Sequence, residues 1–386
     1  MTFGLEFDPE DVWAPREGPT PHPPNTYDMR PSGPARRLSP RLRLRPPPLH
    51  SRRMSWKVLI TARTLDVAGA EALRILKSAG CQLVTPPKFG PLTEAELLPQ
   101  LEGMDAVLAS MDKFTANVFG AQQASSLKLI SRWGVGYDAI DVPAATQNGV
   151  VIAYTPGLLN DAVADYAMAL MFALARRVHE GHLSMREGKW LSGWGHDITG
   201  KTLGIIGCGR IGQAVAKRVS GFDMRVLGHD IAPNADAQKL GVQFVPLDQL
   251  LAESDFISLH AALTPETRGL IGEAQLRLMK KTAYLINTAR GAIVDESALL
   301  RALKEKWIAG AALDAFAVEP LPAEHPFRTA PNILLTPHQA SFGQDTGERV
   351  STAAARAIVE LQSGRKPEWV VNPYVYSSPA LRARLA

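Results

Sequence analysis

The run Leu203-Gly204-Ile205-Ile206-Gly207-Cys208-Gly209-Arg210-Ile211-Gly212, followed at once by Gln213-Ala214-Val215-Ala216-Lys217, constrains this chain more than any other stretch of it. An apolar strand feeds a turn whose three glycines stand at GxGxxG spacing, and helical patterning begins where the turn ends. Glycine allows the sharp turn, the close approach of backbone to a ligand and the packing of helix on strand. The first helical turn adds free N–H groups and the positive end of a dipole. Strand, turn and helix in that order predict a pyrophosphate site formed by Gly207, Gly209, Arg210, Ile211 and Gly212. About twenty residues on, after a second strand, stands Asp230, where a carboxylate accepts the ribose hydroxyls of NAD and repels the 2′-phosphate of NADP. By itself, an Asp ending a strand is also an ordinary turn residue.

Around this unit the chain alternates short apolar runs with amphipathic ones. Val58 to Ile60, Gln82 to Val84 and Ala106 to Leu108 are separated by stretches such as Ala68 to Ala79, and the alternation restarts at Leu203 and continues to Thr336. Strand then helix, repeated, predicts an α/β protein with two doubly wound parallel-sheet domains and a cleft between them. Asp161 to Arg177 is apolar at helical spacing and predicts a mostly buried helix linking the two. The expected division is a Pro/Arg-rich disordered extension over 1–53, a discontinuous substrate domain over 54–153 plus 340–374, a NAD-binding domain over 154–339, and a tail over 375–386. The abrupt change of texture at Met54 also suggests a start there, with the preceding stretch as translated leader.

Composition excludes several classes. The formal charge of +4 is concentrated between Arg30 and Arg53, so the rest of the chain is nearly neutral and nucleic acid is not an expected partner. Cys81 and Cys208 are the two cysteines, far apart and in no ligand spacing, which fits a reducing cytoplasm and no disulfide framework. The run around Met168 to Ala175 is too short to span a bilayer, and the acidic N-terminus does not read as a secretory signal. Two motifs mislead. Gly195-His196-Asp197-Ile198-Thr199-Gly200-Lys201-Thr202 matches a phosphate-binding loop letter for letter, but its Lys and Thr open a strand instead of a helix. His179-Glu180-Gly181-His182 misses the spacing that would place two histidines on one metal, so no metal is expected.

Three polar residues stand at the ends of apolar strands in the second half: Arg290 after Asn287-Thr288-Ala289, Glu319 before Pro320, and His338 after Thr336-Pro337. Each has an ordinary reading as a surface ion pair, a solvated loop acid or a capped loop histidine. With Gly134-Val135-Gly136-Tyr137-Asp138-Ala139-Ile140-Asp141, the dinucleotide turn, Asn287 to Asp295 and Asp314 to Pro320, they make the chain resemble the D-isomer-specific 2-hydroxyacid dehydrogenases over nearly all of residues 56 to 374. The resemblance implies Rossmann-like domains, NAD as cofactor, a homodimer formed through the cofactor domain, and hydride exchange with C2 of a 2-hydroxy acid. It implies His338 as the proton donor and acceptor, Glu319 as the acid on the far ring nitrogen, and Arg290 as the carboxylate clamp. Thr288 and Asp314 fall to the cofactor, the latter at the nicotinamide amide, and Val135 and Gly136 to the substrate carboxylate. A simple turn remains the alternative for that loop and a structural cap the alternative for Asp314. Glu before Pro320, where formate dehydrogenases of similar architecture carry Gln, favours a hydroxy acid.

Within the family the segments Ser131 to Asp141, Gly221 to Met224 and the Asn287 run look most like phosphoglycerate-dehydrogenase-like members. Lys113 is the sole cation in the loop Leu108 to Lys113, where such enzymes place arginines near a phosphate, which argues against 3-phosphoglycerate. Leu158 to Asp165 resembles glyoxylate and hydroxypyruvate reductases, the alternative substrate class. The short stretch after Asn372 leaves no expectation of a regulatory domain. A different class, NAD(H)-binding corepressors that dock peptides, shares the fold and the three polar residues.

Overall fold

The computed structural model describes residues 55–386. The expected extension over 1–53 and the start at Met54 lie outside the described residues.

Twelve strands among the described residues form two sheets, and every strand pair within them runs parallel. The first sheet has the order β2-β1-β3-β4-β5, with β1 Lys57–Ile60, β2 Gln82–Val84, β3 Ala106–Ala109, β4 Leu129–Arg132 and β5 Val151–Ala153. The second has the order β12-β11-β10-β9-β6-β7-β8, built from β6 Thr202–Ile206, β7 Arg225–His229, β8 Gln243–Phe244, β9 Phe256–Leu259, β10 Tyr284–Asn287, β11 Gly310–Leu313 and β12 Ile333–Leu335. Every residue of β3, β4, β9, β10 and β11 is buried. That is why these strands read as continuous apolar runs instead of alternating ones, since helices cover a parallel sheet on both faces.

Connectivity fixes where ligands can sit. The second sheet starts in its middle at β6, winds out to β8, and returns across β6 to β9, so its order reverses between those two strands. Open parallel sheets bind ligands at the carboxyl ends of strands beside such a reversal, and the glycine turn follows β6 directly.

The chain enters the second domain through the helix Asn160–Ala175, whose Ala164, Met168, Met171 and Leu174 are buried in that domain's core. It returns through the helix Gln344–Gln362, whose Val350, Ala354, Ala355 and Ile358 join the core of the first. Two buried hydrogen bonds fasten this return: Ser131 Oγ donates to the Ala354 carbonyl at 2.8 Å and Trp133 Nε1 to Ser351 Oγ at 2.9 Å. Residues 375–386, expected as a tail, do not hang free. Val375 and Ala383 are buried in the first core, and the Arg382 guanidinium donates to the carbonyls of Ala124 and Leu127 at 2.6 and 3.2 Å. Lys201 and Thr202 lead into β6, so the phosphate-loop lookalike has a strand where a nucleoside-triphosphate site needs a helix.

Candidate active site

The three glycines of the turn do different work. A Cβ at Gly207, whose φ is 92°, would lie 2.4 Å from the Ala261 backbone nitrogen, and one at Gly212 would lie 2.2 Å from the Gly207 carbonyl oxygen. Both are contacts with rigid backbone, so these positions exclude any side chain. At Gly209 a Cβ would meet nothing within 4 Å; this is the open side, where a ligand can approach the N-terminus of the helix Arg210–Val219. Asp230, just beyond β7, accepts from Cys208 N at 2.7 Å through one carboxylate oxygen and from Ala232 N at 3.1 Å through the other, which ties it to the turn. Cys208 is 1% exposed, and burial pushes its thiol up to about 12, with the Asp230 charge adding to the effect; it fills space. The hydroxyl of Thr288, the next residue after β10, is buried without a partner in the protein. A buried polar atom is normally bonded, so this hydroxyl fits a ligand acceptor. An open turn, a free helix N-terminus, a carboxylate after the second strand and an unmatched hydroxyl together fit a dinucleotide.

Strands β10, β11 and β12 lie side by side, and their carboxyl ends deliver Asn287 to Arg290, Asp314 and Thr336 to His338. His338 Nδ1 and Glu319 Oε2 are 2.7 Å apart, and the other Glu319 oxygen accepts from Phe316 N at 2.9 Å. The carboxylate orients the ring, facing Nδ1 as the acceptor of its N–H, while Nε2 has no hydrogen-bond partner among the described residues. His338 is held at φ 51°, a left-handed conformation that costs a non-glycine residue of order 1 kcal/mol. Asp314 supports that strain. It is 1% exposed, and it accepts from the Thr336 hydroxyl at 2.6 Å and from Gln339 N and Ala340 N at 2.9 and 2.8 Å, bracketing His338 on both sides. Burial nevertheless raises its carboxyl above the ordinary range, against the pull of those bonds. A carboxylate has about four acceptor sites, so these three bonds make Asp314 first a brace for the histidine loop and leave Oδ2 one site for a nicotinamide amide.

The substrate-side residues are arranged less as expected. Arg290 is paired through Nε with Asp138 at 2.9 Å, its Nη1 donating to the Ala289 carbonyl at 2.8 Å. A Cβ on Gly136 would fall 1.5 Å from Arg290 Nη2, so that glycine admits the guanidinium. The cavity that His338 and Glu319 line, of about 510 Å³, lies between the two sheets and also takes in Arg63, Ser110, Arg132 and Trp133 from the first domain. Neither Arg290 nor Val135 and Gly136 lines it. Arg132, the last residue of β4, does so with 8% exposure, and sequence reasoning passed over it. The available signal was a cation closing the otherwise apolar or small run Leu129-Ile130-Ser131 one residue before the glycine loop.

A parallel sheet with a dinucleotide turn at its reversal and a carboxylate-oriented histidine facing the cleft defines an NAD-binding dehydrogenase. Residues 168–340 match the model of the D-isomer specific 2-hydroxyacid dehydrogenase NAD binding domain. The chain is 45% identical over 293 residues to a glyoxylate reductase of Korarchaeum cryptofilum, covering 74% of this chain and 88% of the relative. Among solved structures it is similar to a protein of Thermus thermophilus, with TM-score 0.74 and 40% identity over 82% of this chain and 99% of that one. It is also similar to a glyoxylate reductase of Paecilomyes thermophila, with TM-score 0.72 and 32% identity over 82% and 98%. The chain belongs to the D-isomer specific 2-hydroxyacid dehydrogenase family, and it is an NAD-dependent oxidoreductase acting on 2-hydroxy acids.

Proposed function

We propose that this enzyme reduces a small 2-keto acid of the glyoxylate class, with His338 as proton donor, Glu319 as its orienting acid and Arg290 as carboxylate clamp. The observation that carries the reading is the 2.7 Å His338–Glu319 contact on the wall of the interdomain cavity. Gly207, Gly209, Arg210, Ile211, Gly212, Asp230, Thr288 and Asp314 hold the cofactor, which when bound supplies or accepts the hydride. As the imidazolium, His338 gives its Nε2 proton to the developing alkoxide and is left neutral with Nδ1–H on Glu319; in the reverse direction Nε2 takes the hydroxyl proton, and the Glu319 charge stabilises the imidazolium in both directions. The backbone N–H groups at Val135 and Gly136 meet the carboxylate, and Arg290 leaves Asp138 to grip it, exchanging one carboxylate partner for another.

The phosphoglycerate-like substrate fits less well. Lys113 is exposed and does not line the cavity, while Asp112 of the same loop is 1% exposed and spent on Thr61, Leu92 N and Ser110 N. The relatives are named glyoxylate reductases. NADH oxidation with a panel of glyoxylate, hydroxypyruvate, pyruvate and 3-phosphohydroxypyruvate tests this. Glyoxylate is expected to lead in kcat/KM, and preference for the phosphorylated acid refutes the substrate class.

We also propose a homodimer formed through the second domain. Leu183, Met185, Trp190, Leu191 and Trp194 are exposed in a short stretch, with Trp194 at 98%, and apolar side chains this close together on a surface mark an interface. Light scattering on the wild type and on Trp194→Asp tests it, a monomeric wild type being the refuting result. No helix of the described residues is long and apolar enough to cross a membrane.

A further inference from the structure

Arg132 poses a problem of charge. It is 8% exposed, and among the described residues no carboxylate lies within ion-pair distance of it. The two acids that act on it from further off are both committed, Asp138 to Arg290 and Asp112 to Thr61 and two backbone nitrogens. Its guanidinium instead spends Nε on the Gly136 carbonyl at 2.9 Å and Nη2 on the Met111 sulfur at 2.7 Å. Nη1 has no acceptor among the described residues. Burial and the nearby Arg290 charge pull its pKa down to about 10, so it is still a cation at neutral pH. Buried charges are normally paired or hold a ligand.

The position says which ligand. A Cβ on Gly134 would lie 3.1 Å from Arg132 Nη1, as one on Gly136 would collide with Arg290 Nη2. Both guanidiniums thus lie against the Gly134-Val135-Gly136 loop, Arg290 at Gly136 and Arg132 spanning it from Gly134 to the Gly136 carbonyl, and Arg132 is the one that lines the cavity with His338 and Glu319.

We propose that Arg132 is a substrate-binding residue, a second guanidinium that grips the 2-keto acid carboxylate through Nη1, the nitrogen beside Gly134. This deepens the function proposed above, since it places two cations on one carboxylate and makes that carboxylate obligatory for recognition. An uncharged analogue such as a 2-keto amide is disfavoured by the same cation, because its neutral oxygen leaves the buried charge uncompensated. A charge-assisted hydrogen bond is worth roughly ten- to a hundredfold in affinity, which sets the expected effect.

The test is oxalate binding to the enzyme–NADH complex, followed by fluorescence, in wild type, Arg132→Lys and Arg132→Met. This needs no turnover. Oxalate affinity is expected to fall about thirtyfold or more in Arg132→Met and less in Arg132→Lys, with NADH affinity within about twofold of wild type and partial recovery on adding millimolar guanidinium ion to the Met variant. Unchanged oxalate affinity overturns the proposal, and so does a loss shared by oxalate and NADH, which would make Arg132 a structural strut. If Arg132→Met does not fold, Arg132→Lys decides alone: its oxalate affinity must fall by at least about threefold at unchanged NADH affinity. A wild type that binds oxalate in this Arg132-dependent way but does not reduce glyoxylate would refute the substrate reading and leave the present one standing.

Discussion

Replacing Glu319 by Gln isolates what the carboxylate contributes beyond its shape. In the wild type its two oxygens accept two donors, the His338 ring at 2.7 Å and Phe316 N at 2.9 Å. A carboxamide in the same place has one acceptor and one donor end, so one of those N–H groups must face an NH₂. The unpaired donor costs about 1–3 kcal/mol. Loss of the charge downgrades the histidine bond from charge-assisted to neutral, about 1 kcal/mol more. The pair is 30% and 23% exposed, so water reaches both partners and the low end of the sum applies, about 2 kcal/mol. If that interaction is needed only when the ring carries or delivers its proton, kcat falls about thirtyfold while NADH binding is unchanged. Steady-state glyoxylate reduction read at the NADH absorbance, with NADH affinity from fluorescence titration, measures both. A Glu319→Gln enzyme within about twofold of wild type in kcat would refute the orienting role, and so would parallel losses in kcat and NADH affinity.

Other consequences follow from the same geometry. Gly212→Ala sets a Cβ 2.2 Å from a backbone oxygen that cannot yield, so the turn must open. Thermal melts should show lower stability and NADH affinity should drop at least about tenfold, and normal NADH binding would show the turn to be dispensable. Asp230→Ala removes the negative charge that follows β7, and on the proposed ribose role kcat/KM for NADPH relative to NADH should rise at least about tenfold; an unaltered ratio would reduce Asp230 to the turn residue that its bond to Cys208 N makes it. Burial holds the His260 imidazole down to about 4 from 6.5. Its folded-state value lies below its unfolded one, so the neutral ring's stabilising contribution is complete above pH 6.5 and is lost as the pH falls toward 4. The melting temperature of His260→Asn should therefore decline less steeply over that window, and superimposable wild-type and variant curves would contradict the assignment.

Much of this architecture is written locally. The strand, glycine turn and helix from Leu203 to Lys217 declare themselves because each residue type answers a local backbone demand, and β9 and β10 are legible as apolar runs because both of their faces are covered. The polar residues at strand ends are visible for the same reason. What escaped depends on contacts between distant parts of the chain. Arg132 and the cavity meet because β4 ends opposite the second sheet, and no periodicity encodes that. The commitment of Asp314 to Thr336, Gln339 and Ala340, and of Arg290 to Asp138, likewise depends on partners brought near by folding. The left-handed conformation of His338 could not be read either, because a histidine at φ 51° is held there by its neighbours against its own preference.

That strain bears on how the chemistry is divided. His338 and Glu319 both follow strands of the second sheet, where the glycine turn also opens, so on the proposed function the proton donor and the cofactor share one frame. Arg132, Val135 and Gly136 belong to the first domain, and the connections between the two frames include the helices Asn160–Ala175 and Gln344–Gln362. On the function proposed above, a relative shift of the domains leaves His338 and Arg290 in register with the glycine turn and moves only the first-domain part of the carboxylate grip, Arg132, Val135 and Gly136. Substitutions in the second sheet at the histidine pair should appear in kcat, and substitutions at the loop of the first domain in KM. The bracing of His338 by Asp314 then has a consequence beyond local stability, since a histidine pinned in a costly conformation stays on the cavity wall with its Nδ1 held by Glu319.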